Sequence, residues 1–503
     1  MLRLIGTAGA VALLTALALA SGAGATPATL CVGPQAGCYS QIQPALDAAS
    51  DGDTIAIGAG KFAGGITISK SVHVQGAGAG KTTISGGGPV VTIFRADDPE
   101  GLNVSLDGVT ITGGVNNSQP DPEVTFGGGI AIPVAQLDQP PYNGTGATVA
   151  ISNSVVTGNT VTSNSVIPPG FCGDRACGFN DGGGIDNGGV LTLTNTRVTN
   201  NTAGSTILSP SAASDAGSGG IDNRFVASLT LRSSVVSGNR AVVNSPIANS
   251  AASGGIGSTG VLDIADSVVS NNVVEYRGVL DSGDSDGLAG GLLLDQCCDA
   301  SHPAATIRAT QISGNRVTAA NTNPASGIAG YGGGVVAFAP ALLDHVVLAG
   351  NAVSVNGQGF VGGDGGGMEV DAPVTVSSSL IANNTVSVSG PGAAVAFGGG
   401  VAMFGGDLTL QHTIVIANSA SASGAGGPLP FGGDSIVYGG GISNGGPGVP
   451  PASLTVSDSL VTGNRLGAGA GFLVQGGGVF TDSGITRTRT LIAGNRPDDC
   501  FGC

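Results

Sequence analysis

Tryptophan is absent from this sequence and positive charge is scarce: 503 residues carry 17 Lys plus Arg against 33 Asp plus Glu, a formal net charge of −16. Nucleic acids and anionic membrane surfaces are held by clustered Lys and Arg, so both partner classes are excluded. Only 10% of the residues are charged, but 41% are hydrophobic, and disordered chains lack that apolar supply. Aromatic residues make up 4%, which leaves few flat platforms for stacking against sugar rings. Long apolar runs are missing apart from one at the N-terminus. There Arg3 precedes an apolar run from Leu4 to Ala20, and "SGAGA" then places Ala23 and Ala25 before Thr26. That order predicts a secretory signal peptide over residues 1–25, and so an extracellular mature chain with no integral membrane segment.

The eight cysteines fall in close pairs: Cys31 with Cys38, Cys172 with Cys177, Cys297 with Cys298, and Cys500 with Cys503. An exported chain meets oxidising conditions, so local disulfides are expected rather than a zinc site. The adjacent Cys297 and Cys298 either bond to each other or find partners elsewhere.

Glycine is what the chain has in excess, 91 residues of it. The glycines recur in one phrase: "GGGIAIP" at 127, "GGGIDNG" at 182, "GGIDNRF" at 219, "GGIGSTG" at 254, "GGLLLDQ" at 290, "GGGVVAF" at 332, "GGGMEVD" at 365, "GGGVAMF" at 398, "GGGISNG" at 439 and "GGGVFTD" at 476. After each comes an alternating segment that ends in an aliphatic residue three places before asparagine, as in "VTGN" at 156 and "IAGN" at 492. From Asn159 to Asn495 there are nine steps over 336 residues, about 37 per step. A fixed period with two anchored signatures predicts a solenoid.

The local period chooses strand over helix, because "VLTLTNTRV" and "ASLTVSDSLV" alternate every second residue. Ile185, Leu191, Leu193 and Val198 are expected to point inward, and Thr192, Thr194 and Arg197 outward. Paired glycines allow sharp corners between coils stacked about 4.8 Å apart. The asparagines tolerate left-handed backbone and, in register, form hydrogen-bonded ladders. What remains of each period is rich in Gly, Ser, Ala and Pro and varies in length, as in "STILSPSAASDAGS" before Gly219, so it reads as loops gathered on one face. At the N-terminal end "YSQIQPALDAASDG" predicts a short capping helix with Ile42 and Leu46 on one face and Ser40 and Gln43 as a capping box.

These features define an all-β solenoid of about thirteen coils. Residues 26–126 form the cap and first coils, 127–495 the ten repeats, and 496–503 a C-terminal cap with its cysteine pair. "IQPALDAASDGDTIAIGAGKF" and "LDGVTITGG" resemble the pectate-lyase-like superfamily. The "GGGI" and "VxxN" alternation is similar to the repeats of chlamydial polymorphic outer membrane proteins, with Val, Ile or Leu in place of their aromatic. The resemblance covers residues 38 to 503. It implies a right-handed parallel β-helix, and it implies either an adhesin-like binding or structural role or a polysaccharide lyase or glycoside hydrolase.

An enzyme of that kind needs carboxylates gathered on one face. The position after the aliphatic of each "GGI" phrase reads Ala131, Asp186, Asp222, Gly257, Leu293, Val336, Glu369, Ala402, Ser443 and Phe480. Asp186 and Asp222 are acidic neighbours in consecutive coils, with Arg224 two residues on. This trio is the catalytic candidate, and corner capping with charge relief by Arg224 is the competing structural account. Asp281, Asp284 and Asp286, with Asp295, Asp299 and His302 nearby, form an acidic loop with oxygens dense enough for calcium but without an EF-hand pattern. Asp344 and His345 match a pectate-lyase dipeptide without its arginine motif. Phe431, Tyr438 and Phe480 are the one local aromatic set. The reading is a secreted binding, adhesion or structural protein, the alternative being an enzyme on an acidic polysaccharide, with a polysaccharide or a cell-surface component as partner.

Overall fold

The computed structural model describes residues 26–117, 127–134, 145–163, 182–205, 214–245, 248–278, 285–295, 305–430, 432–450 and 452–503. The segment 1–25 and the cysteines at 172, 177, 297 and 298 lie outside them.

Alternation of aliphatic and polar residues makes each coil a ring of short strands, and coil-on-coil pairing makes every sheet parallel. Five sheets, with 14, 13, 10, 8 and 13 strands, are numbered I to V here; I, II and V run the length of the molecule, III starts at Val115–Asn116 and IV spans Ser214–Ser218 to Phe472–Gln475 among the described residues. One complete coil runs Ile185–Asn187 in sheet V, Val190–Thr194 in sheet I, Arg197–Thr199 in sheet II, Thr202–Ser205 in sheet III and Ser214–Ser218 in sheet IV, and re-enters sheet V at Ile221–Asn223. The architecture is the expected right-handed parallel β-helix.

Sheets I, II and V enclose the main core. Ile185, Leu191, Leu193 and Val198 are buried in it, while Thr194 and Arg197 are exposed and Thr192 half-exposed. The Ser-rich and Ala-rich remainder of each period is not the set of loops expected from its composition. It runs out as sheet III and returns as sheet IV, and the two pack face to face as a fin. Val243, Tyr276, Val317, Val355 and Val388 of sheet III meet Ile328, Val361, Ala394 and Val437 of sheet IV in a second core. Segments such as "TVSVS" and "SASAS" alternate with small apolar residues, which suffices for strands held closely on both sides.

Ten asparagines form one continuous ladder at the turn from sheet II to sheet III. From Asn159 through Asn201, Asn239, Asn272, Asn315, Asn351, Asn384, Asn418, Asn464 and Asn495, each Nδ2 donates to the next Oδ1 at 2.9 to 3.0 Å. The final member donates to Asp499 Oδ1 at 3.1 Å, so a carboxylate closes the ladder. The left-handed residue is the one before the ladder position, for example Asn200 at φ 56° and Gly238 at φ 67°. The ladder asparagine is therefore kept for its amide and not for its backbone. The paired glycines do serve close approach: a Cβ on Gly184 would lie 2.6 Å from the Gly220 carbonyl oxygen and 2.8 Å from Asn201 Nδ2.

The cap at the other end is helix α1 (Ile42–Ala48), which buries Ile42, Ala45 and Leu46. Its N-cap is Gln41, without a side-chain capping bond, so the expected Ser40–Gln43 box does not form. Gln43 instead covers the open edge of sheet V, accepting from the Thr67 N–H at 2.8 Å and donating to the Thr67 carbonyl at 3.2 Å. Cys31–Cys38 and Cys500–Cys503 are bonded as expected. Among the described residues no helix is long and apolar enough to cross a membrane.

Candidate functional site

Sheet IV meets sheet V at the glycine corner, and the two outer faces form the walls of a groove along the solenoid that its own side chains fill, leaving most of its middle residues buried. Three columns of side chains line it: the last residue of each sheet IV strand, the middle residue of each sheet V strand, and the residue just after that strand. Ring contacts show that the columns face one another, since Phe397 of the first column lies 5.8 Å from Phe404 of the third, centroid to centroid.

The sequence alignment placed the middle column correctly. Asp186 pairs with Asp222, and the register continues through Gly257, Leu293, Val336, Glu369, Ala402, Ser443 and Phe480. The column faces away from the main core, but it is not solvent-exposed, because the fin rises beside it. Asp186 is 0% exposed.

Asp186, Asp222 and Arg224 do come together. Arg224 Nε donates to Asp186 Oδ1 at 2.7 Å, and Ser218 Oγ donates to Asp222 Oδ1 at 3.0 Å. Burial pushes the Asp186 carboxyl up to about 6 against the pull of Arg224, and the charge of Asp222 adds to the rise. Burial raises Asp222 as well, opposed by Arg224 and Ser218. A carboxylate sealed from solvent and bound to its own arginine is an ion pair of the wall. The neighbouring asparagines support that role: Asn187 Nδ2 donates to Asn223 Oδ1 at 2.8 Å, and Asn223 Nδ2 to Ser258 Oγ at 2.9 Å.

A second acidic trio escaped the sequence reading. In one coil Asp364 ends its sheet IV strand, Glu369 lies mid-strand in sheet V, and Asp371 follows that strand, so one carboxyl group occupies each column. Burial pushes Asp371 up to about 6, opposed by its hydrogen bond with Glu369. The coil before supplies Tyr331 and Phe338 to the outer columns, and the coil after supplies Phe397 and Phe404. Further along, Phe397 lies 5.8 Å from Tyr438, Tyr438 stacks on Phe480 at 3.9 Å, and Phe480 stacks on Phe501 at 5.6 Å. Aligning the residue before the glycines, as was done for the residue after the aliphatic, would have exposed the series Tyr331, Asp364, Phe397, Tyr438.

Asp281, Asp284, Asp299, His302 and Phe431 lie outside the described residues. Asp286 falls in the strand Ser285–Gly287 of sheet IV rather than in a loop. Asp295 is half-buried in the third column. His345 is not on a strand but in the turn after one, exposed at φ 55°, with Nδ1 2.8 Å from Asp344 Oδ2. It shares that left-handed position with Asn195, Asp266 and His412 in other coils, so its place is set by the turn. Among the described residues no three carboxyl, imidazole or thiol groups are disposed to hold a metal ion.

No family model matches the chain, and no curated protein matches it. Among solved structures, the A-module of a mannuronan C-5 epimerase from Azotobacter vinelandii is similar at 14% identity and a TM-score of 0.35, over 89% of this chain and 94% of that one. A likeness of that size carries no argument about activity.

Proposed function

We propose that this chain is an extracellular, non-catalytic glycan-binding β-helix, related in architecture to the pectate-lyase-like superfamily and in repeat to chlamydial polymorphic outer membrane proteins. The observation that supports it is an exposed ring at the rim of the groove, Phe338 at 38% exposure, one coil from an acidic coil. Rings of this kind offer the apolar faces on which sugars stack, with nearby polar groups to orient them. The burial and pairing of Asp186 argue against the catalytic role first assigned to the Asp186, Asp222 and Arg224 trio. Secretion through residues 1–25 belongs to the same proposal.

The test is to export the mature chain from Thr26 and incubate it with neutral, acidic and cationic polysaccharides, with and without calcium. Co-sedimentation without product supports the reading. New reducing ends or unsaturated uronide absorbance would replace it with an enzyme. That second reading has one observation in its favour, the half-buried Asp371, whose carboxyl is raised by burial to about 6 and so suits proton transfer near that pH. The calcium arm tests the acidic segment of Asp281, Asp284 and Asp286.

A further inference from the structure

We propose that the outer face of sheet II pairs two copies of this chain, an aliphatic strip over the last five coils packing against the same strip of a second copy. The strip lies apart from the groove and does not depend on what the groove binds.

Strand alternation builds it. In Val347–Ala349, Leu380–Ala382, Ile414–Ile416, Leu460–Thr462 and Leu491–Ala493 the middle residue points into the main core and the other two point away from it. Register stacks the first residues into one column, Val347, Leu380, Ile414, Leu460 and Leu491. Val347, Ile414 and Leu491 are 37%, 42% and 60% exposed, and Leu380 and Leu460 are half-exposed. Single apolar residues on a surface are ordinary, whereas a contiguous row marks a contact.

The two outward columns change character at the same coil. Before it, Arg197 and Gln311 interrupt the first column, and the other column reads Thr157, Thr199, Ser237, Ser270 and Ser313. From Val347 onward the first column is aliphatic without a break, and the other reads Ala349, Ala382, Ile416, Thr462 and Ala493. Strand propensity favours Thr and Val alike, so it does not account for a change confined to five coils. None of these ten outward positions is charged, in a chain of net charge −16.

Shape and charge identify the occupant as a second copy. The large residues of the first column stand beside alanine in three of the five coils, so the face is a ridge next to a furrow. A two-fold axis along the solenoid lays each ridge in the other copy's furrow, coil against coil at the same pitch of about 4.8 Å. The same rotation turns the rim by sheet I, with Asp344 and Asp458, toward the rim by sheet III, with Arg465 and Arg496. Arg489 shares the first rim but is held by Asp458 at 2.5 and 2.7 Å. The face measures about 24 Å by about 17 Å, roughly 400 Å² per copy. That is a patch of the size that marks an interaction site on a monomer, and it is small for an interface, so the dimer is weak and concentration-dependent.

The experiment is sedimentation of the mature chain from about 1 to about 200 µM, since mass action brings out a weak dimer as concentration rises. Monomer at the low end and dimer at the high end is expected. Ile414→Glu, at the centre of the strip, is expected to weaken association at least tenfold, because each copy would then bury a carboxylate without a partner. Should that variant fail to fold, Leu491→Thr, at the most exposed position of the strip, is expected to weaken it several-fold. Val261→Thr, 53% exposed on sheet I and off the strip, is expected to change nothing. A folded chain that stays monomeric over the whole range overturns the proposal, and so does a dimer that neither strip variant weakens. Flotation of the monomer with phosphatidylcholine vesicles, lost in Leu491→Thr, would assign the strip to a lipid surface and overturn it as well.

Discussion

Replacing Asn315 by alanine is the sharpest test of what holds the coils in register. Asn315 is fully buried. Its Oδ1 accepts from the backbone N–H and from Nδ2 of Asn272, both at 3.0 Å, and its own Nδ2 donates to the Val269 carbonyl and to Asn351 Oδ1, both at 3.0 Å. Alanine leaves the buried backbone N–H of Asn272 without an acceptor and takes one of the two acceptors of Asn272 Nδ2, which keeps the Val236 carbonyl, at about 1–3 kcal/mol for each lost bond. Asn351 Oδ1 keeps a partner, the backbone N–H of residue 315, so the acceptor side loses less. The expected cost is about 3–5 kcal/mol, a large part of a typical stability of about 5–15 kcal/mol. Urea unfolding gives the magnitude, and hydrogen exchange shows whether the loss centres on the coils of Asn272 and Asn351, as nearest-neighbour coupling in a solenoid requires. Asn356→Ala is the control, since Asn356 is exposed and bonds only to Ser389 Oγ in the next coil; a change within about 0.5 kcal/mol is expected. If Asn315→Ala were as mild as the control, the ladder would be a by-product of register and not a cause of it.

Three further outcomes follow from the same geometry. Asp499→Ala removes the acceptor that closes the ladder at Asn495, so exchange should quicken in the last coil and stay unchanged beyond its neighbours. Gly334→Ala sets a Cβ 2.6 Å from the Gly367 carbonyl oxygen and 2.9 Å from Asn351 Nδ2; overpacking at that corner should cost about 3 kcal/mol, read as a lower urea midpoint. Asp371, raised to about 6 by burial, holds its proton more tightly folded than unfolded, where a carboxyl titrates near ~4. Its contribution is therefore fully present below about pH 4 and lost as pH rises through about 6. The urea midpoint should fall across that window in the native chain and fall less in Asp371→Asn, and an equal fall in both would show that Asp371 is not the group responsible.

The solenoid was legible because its determinants are local and repeated. Glycines that must make room for the next coil, and asparagines that must meet their own kind, recur at every turn, and aligning them gave the register that joins Asp186 to Asp222. The fin was not legible. Its strands alternate Ser and Thr with Ala or Val, a composition shared with loops, and only the facing of sheet III on sheet IV supplies the burial that makes them strands. Missing the fin hid the groove, and with it the fate of the catalytic candidate. Asp186 looks like a surface carboxylate in a list of outward positions, and becomes a sealed ion-pair member once a wall stands next to it. The same wall brings Asp364 across from Glu369 and Asp371, a meeting that depends on the bend at Gly365 to Gly367.

The central claim is that the ligand lies between fin and body, and hydrogen exchange with and without a saturating glycan tests it most directly. Added protection is predicted in the strands Ile328–Tyr331, Val361–Asp364 and Ala394–Phe397 of sheet IV and in Val335–Ala337, Met368–Val370 and Val401–Met403 of sheet V. Protection confined to sheets I and II, with these six strands unchanged, would contradict the account.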